Sequence, residues 1–239
     1  MPISSTNTTV LYGKIAMAAY LRNVTPRFAQ DMADASVLSS TSKVYFPSLE
    51  NYDFTLDGLF DSNTGAGTML NEITSNLGSS TATAATVAPN GFSLGSSAWL
   101  IPSITANYDV TSSVADLVGF TLNLSANGPA NYGVCLSSLA ALTATGTSTS
   151  HDNTTGTSNG ALINLHVTAA SGTTPSLAMV VQHSTNNSTW TTLGTFTTLT
   201  STGSQALQVT GTVNRYVRLS YTITGTSPSF TTQVSIARI

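Results

Sequence analysis

Charge is scarce in this sequence. Lys, Arg, Asp and Glu together make up 7% of its 239 residues, against roughly 25% in ordinary soluble proteins. The positive charges are also badly spread. After Lys43 no Lys or Arg occurs until Arg215, while Glu50, Asp53, Asp57, Asp61, Glu72, Asp109, Asp116 and Asp152 fall between them. Nucleic-acid affinity comes mainly from cations that neutralise phosphates. An all-acidic middle therefore argues against phosphate binding, and permits a surface past which nucleic acid slides without sticking. There is one cysteine, Cys135, so no intrachain disulfide framework exists. No run approaches the ~18 apolar residues of a membrane span, so no membrane anchor is expected. The first residues have neither a charged start nor an apolar run. They predict no signal peptide and synthesis in the cytoplasm.

Catalytic patterns are missing too. No His-x-His, Cys-x-x-Cys or Glu-x-x-His spacing offers converging metal ligands. The Gly-x-Ser-x-Gly elbow is absent, and Gly65-Ala-Gly67 lacks the Lys-Ser/Thr that a phosphate loop needs. Cys135 has no basic neighbour to lower its pKa, so a buried inert thiol is expected. His166 and His183 sit in strand-like runs and His151 in a polar stretch; they read as satisfied or surface histidines. Neither a cofactor nor a metal is implied, and the chain does not read as an enzyme.

Hydroxyls are abundant. Thr and Ser number 74, and 41% of residues are apolar. Thr is β-branched and fits a pleated, half-buried surface, so the composition predicts an all-β, mainly antiparallel fold. Period-two alternation agrees. Tyr52, Phe54, Leu56 and Phe60 take one face of a strand, with Asp53, Thr55 and Asp57 on the other. In residues 120–126, Thr121, Asn123 and Ser125 point outward. Asp53, Asp57 and Asp61 read as a solvated face, with a bound cation as the alternative. One segment has clear helical spacing: Met69, Leu70, Ile73 and Leu77, with Thr68 able to cap its start and Gly78 its end; Arg27 to Ala35 has a weaker helical period and is left unassigned.

Residues 144–159 (ATGTSTSHDNTTGTSN) lose all apolar periodicity and read as a linker or exposed loop. They divide the chain into residues 1–143 and 160–239. The second part shows six or more short strands separated by turn signals at 171–175, 186–187, 202–203 and 225–228, which predicts a small β-sandwich. Trp99, Trp190 and Tyr216 are its and its neighbour's candidates for sugar stacking.

Residues 10–14 (VLYGK), 31–61 (DMADASVLSSTSKVYFPSLENYDFTLDGLFD) and 119–134 (GFTLNLSANGPANYGV) resemble the major tail tube proteins of long, flexible-tailed bacteriophages. The shared pattern is an acidic hydroxyl-rich segment, a short strand, then a strand closing on Gly58, Leu59, Phe60 and Asp61. That family often has Gly where Ser39 or Ser40 stands. Residues 182–193 (QHSTNNSTWTTL) and 214–219 (NRYVRL) are similar to the ending of galactose-binding-like jelly rolls. The first resemblance implies a tail-tube domain over 1–143. Its subunits would form rings, commonly hexamers, that stack with loops and the N-terminal arm bridging them. Asp53 and Asp57 would line an acidic lumen. Partners would be further copies and other tail proteins (tape measure, terminator, distal tail), with DNA in passage and assembly in the host cytoplasm. The second implies a 160–239 sandwich decorating the exterior, with Trp190 and Tyr216 on its surface. A carbohydrate-binding or adhesin module is the competing reading.

Overall fold

A computed structural model describes residues 5–39, 41–65 and 67–239. Ser40 and Ala66 lie outside the described residues, as does the start of the N-terminal arm. Among the described residues the fold is mainly antiparallel β with one α-helix, as the composition predicts. The first half contains β1 (Thr9–Tyr12), β2 (Ile15–Ala16), β3 (Leu21–Asp34), β4 (Tyr45–Leu59), α1 (Met69–Asn76), β5 (Thr83–Ala88), β6 (Ser97–Thr111), β7 (Gly119–Ala126) and β8 (Asn131–Cys135). Each neighbouring pair is antiparallel, in the order β3-β4-β7-β6-β5-β1-β2.

Alternation decides which side chains are buried. Phe54 and Leu56 of β4, with Phe120, Leu122 and Leu124 of β7, join Val10, Tyr12, Ala85, Val87 and Ile101 in one core. Helix α1 closes this core with Met69 and Ile73. The Thr68 hydroxyl accepts from the Asn71 N–H at 3.4 Å, and Gly78 follows the last turn at φ +80°. Leu77 departs from the expected apolar face: it is the C-cap and is half-exposed. The β1–β2 turn needs glycine at Gly13. Its φ is +58°, and a Cβ there would run into the Glu72 carboxylate.

The second half adds β9 (Ala140–Leu142), β10 (Gly146–Thr147), β11 (His151–Asp152), β12 (Ala161–Ser184), β13 (Thr191–Thr195), β14 (Gly203–Val209) and β15 (Tyr216–Arg238). Strands β12 and β15 pair along their whole lengths. The sequence suggested turns at 171–175 and 225–228. Instead the two strands pass each other there through bulges after Val167, Ser171 and Thr173. Gly172 (φ +114°) and Gly225 (φ +121°) let the backbones approach; a Cβ on either would meet a carbonyl within 3 Å. The bulges bend the ribbon. Leu165 and Phe230 on one side and Leu177, Val181 and Val217 on the other then share a single core, closed by Phe196. The strands are thus fewer and longer than the alternation suggested, yet the layout is that of a sandwich whose strands switch sheets at bulges.

Residues 144–159 lie along β15. Gly146 pairs with Tyr221 and His151 with Val217. The halves also share a sheet, because β8 pairs with both β6 and β15. Successive residues of β5 face opposite layers. Ala85 and Val87 enter the first core, while Thr86 and Ala88 face the second half. The layers therefore run from the outer face of β3-β4-β7-β6, through the first core, to β5, and then to β12 and β15.

Phe230 is fully buried, so Phe230→Ala should lower unfolding stability by about 3–5 kcal/mol. Leu38→Ala, at a fully exposed position, should stay within about 0.5 kcal/mol. Denaturant titration of the two variants checks both values.

Candidate functional site

The outer face of the four-stranded unit β3-β4-β7-β6 carries a network of polar side chains that runs across all four strands. Register aligns its side chains in rows. Asn23, Asp57, Thr121 and Asp109 form one row; Thr25, Thr55, Asn123 and Asn107 the next; Arg27, Asp53 and Ser125 the third. Hydrogen bonds cross every strand. The hydroxyl of Ser125 donates to Asp53 at 2.7 Å and that of Thr121 to Asp57 at 2.7 Å. Asn23 donates to the second oxygen of Asp57 at 3.2 Å. Thr55 donates to Asn123, Asn123 to Asn107 and Asn107 to Asp109, at 2.7, 2.6 and 2.6 Å. Asp53, Asp57 and Asp109 thus each accept from at least one neutral hydroxyl or amide donor.

Asp53 and Asp57 share this face with Thr55, as alternation suggested. Asp61 does not join them; its carboxylate accepts from the Asn63 N–H at 3.0 Å. Among the described residues no group of three or more His, Cys, Asp or Glu could hold a metal ion. Sequence reading missed Arg27, whose guanidinium lies 4.0 Å from Asp53, so the face is not purely acidic. It also missed Asp109 and Asn107, which reach the face only through a bulge between Thr105 and Asn107.

Both edges of this unit are open among the described residues. Strand β3 pairs with β4 alone. Strand β6 has an isolated bridge from Thr105 to Leu77, and from Asn107 to Thr111 it pairs only with β7. Apolar side chains are exposed at both ends of the same unit. The β3–β4 ribbon continues past Asp53 without a third strand, a reach of about 25 Å at ~3.3 Å per residue. It carries exposed Met32, Leu38, Phe46 and Leu49. At the opposite end Val114 and Leu117 of the β6–β7 turn are exposed, and Leu117 lines a cleft with Leu59, Phe60, Ser62 and Val118. A patch of this kind marks an interaction surface, and an open edge is a template for strand addition.

The second half carries Trp190 and Tyr216, both half-buried. The Arg218 guanidinium stacks 4.1 Å from the Trp190 ring centre while its Nε donates to Gln182 at 2.9 Å. Arg215 lies 4.9 Å from the Tyr216 ring and grips Asp152 through two bonds of 2.7 and 2.6 Å. That grip holds the Asp152 carboxyl down at about 2. One flat face of each ring is thus taken by a cation. Trp99 meets Tyr132 edge-on at 5.8 Å. Cys135 is fully buried, and burial pushes its thiol up.

No protein-family model matches the chain, and no curated protein matches it. Several solved structures are similar in fold. One is the SPP1 tail tube (10% identity, TM-score 0.44, 56% of this chain and 81% of that one). Another is a chain of the virion of a native gene transfer agent particle (12%, 0.43, 55% and 98%). A third spans both halves: the SPP1 Dit protein, described as a hub adsorption apparatus of phages infecting Gram-positive hosts (14%, 0.42, 97% and 99%).

The network turns on Asn123, which joins Thr55 to Asn107. Asn123→Ala should cost about 1–2 kcal/mol by taking the partner from the Thr55 hydroxyl and from the Asn107 side-chain carbonyl, with the sheet intact by circular dichroism.

Proposed function

We propose that the chain is a structural subunit of a bacteriophage tail tube, assembling into stacked rings around a channel for DNA. The supporting observation is the four-stranded unit with two open edges. Its strands alternate in direction, and four is even. Rotation about an axis along the strands therefore brings β3 of one copy beside β6 of the next in antiparallel sense. Every added copy repeats the same junction until the ring closes, which removes the edges. Six copies of four strands, at ~4.8 Å spacing and ~40° tilt, would close a cylinder roughly 45–50 Å across between backbones. That leaves room for a DNA duplex after side chains are allowed for.

In such a ring the hydrogen-bonded face would line the channel. Asp53, Asp57 and Asp109 would repel DNA phosphates, with Arg27 reducing the net charge at one level. The second half, 160–239, would then lie on the exterior, with Trp190 and Tyr216 on the decoration. Rings would stack with the β3–β4 ribbon of one copy against the apolar cleft at the far end of another. Further partners would be other tail proteins at the two ends of the stack. The site of action would be the virion, after assembly in the host cytoplasm.

Negative-stain microscopy of the purified protein should show rings or tubes; a monodisperse monomer at high concentration would sink the reading. Phe46→Ser with Leu49→Ser should leave thermal stability unchanged and abolish stacking. Undiminished tubes would remove the ribbon from the contact. Asp53→Lys with Asp57→Lys should still assemble but slow DNA ejection, and unchanged infectivity would take these residues out of the channel.

A further inference from the structure

The seam between the two halves is built differently from either core. Its apolar cluster is Ala88, Ala98, Leu100, Cys135, Leu162 and Ala237. Half of these are alanines, so little apolar area holds the layers together. Polar side chains carry much of the contact instead. His166, on β12, is fully buried and uses both ring nitrogens. Nδ1 lies 2.8 Å from the Gly13 carbonyl, which can only accept, so Nδ1 carries the proton. Nε2 lies 2.9 Å from the Thr86 hydroxyl and accepts from it. The same hydroxyl accepts from Asn164 Nδ2 at 3.1 Å, which also donates to the Ala85 carbonyl at 3.0 Å. This one ring ties β12 to the β1–β2 turn and to β5.

We propose that this seam is an acid-released latch: protonation of His166 releases β12 from the β1–β2 turn and from β5 while each half keeps its own core. A second proton would have to sit on Nε2, facing a hydroxyl already committed as donor there. No carboxylate bonds to the ring. The groups facing it are neutral: Gly13 and Thr86 from the first half, Gln233 and Ser204 opposite it on β15 and β14, and Asn164 on its own strand. Beyond Gly13 lie Lys14 and Glu72, which pair with each other at 3.2 Å. The oxygens Asn164 Oδ1 and Gln233 Oε1 are buried without partners, so the seam already carries uncompensated polar cost.

Burial lowers the His166 pKa to about 4, against the ordinary value of 6.5. The released ring binds a proton more readily than the latched one. The latch is thus at full strength above about pH 6.5 and weakens as pH falls toward 4. Across that window the opening equilibrium shifts by up to ~300-fold. Local opening at the least apolar layer is the expected first step.

The test is NMR titration of the intact protein combined with hydrogen exchange. In the folded protein the His166 ring should show no inflection above pH 5. On acidification, with rates corrected for intrinsic pH dependence, the Asn164 side-chain amide protons, which bond across the seam, should lose protection before the backbone amides of 54–56 and 177–181. His166→Gln should flatten the acid dependence. Thr86→Val, which removes the hydroxyl donated to Nε2, should move opening to higher pH and serves if the first variant does not fold. A ring midpoint at 6.5 or above, or simultaneous loss of protection in the seam and both cores, would overturn the latch.

Discussion

The register of β4 between β3 and β7 is the constraint on which the rest depends. Side chains alternate strictly along a strand, so a slip of one residue exchanges the two faces. Such a slip would drive Asp53 and Asp57 into the core and turn Phe54 and Leu56 outward. Leu122 and Leu124 hold the core side, and the Ser125–Asp53 and Thr121–Asp57 bonds hold the other. Burial and the hydrogen-bond rows thus specify the same alignment. Both open edges and both apolar ends take their positions from it.

Scarcity of charge is part of this economy. A carboxylate fixed by a hydroxyl needs no cation to keep it in place. Thr, Ser and Asn fill the face around Asp53, Asp57 and Asp109 as donors, and only Arg27 approaches as an ion. The hydroxyl-rich composition therefore serves two ends. It favours strands through the β-branch of Thr, and it orients negative charge without neutralising it. The seam uses the same chemistry with the opposite outcome, since Thr86 and Asn164 surround a ring whose burial disfavours the charged form.

Much of this was legible in the sequence where the signal is local. The alternation from Tyr52 to Phe60 set the two faces of β4, and Thr68 and Gly78 bounded the helix. What depends on long-range pairing was not legible. Arg27 reaches Asp53 from a strand 26 positions earlier, and Asp109 arrives through a bulge. The glycines at 172 and 225 carry ordinary turn signals, yet they serve the close passage of two long strands. Residues 144–159 have no periodicity because they lie along β15 in two-residue strands, too short to show one. His166 looked like any strand histidine, since nothing near it in sequence names Gly13 or Thr86 as its partners.

The two ends of the four-stranded unit are chemically unlike: a projecting ribbon at one, a recessed apolar cleft at the other. In the proposed assembly, a stack of such units would have a direction. Its growing tip and its base would never present the same surface, however many layers lay between. Anything that started the stack would have to fit one of these surfaces, and anything that stopped it the other. Length would then be set at either end independently, by partners that did not compete for a common site.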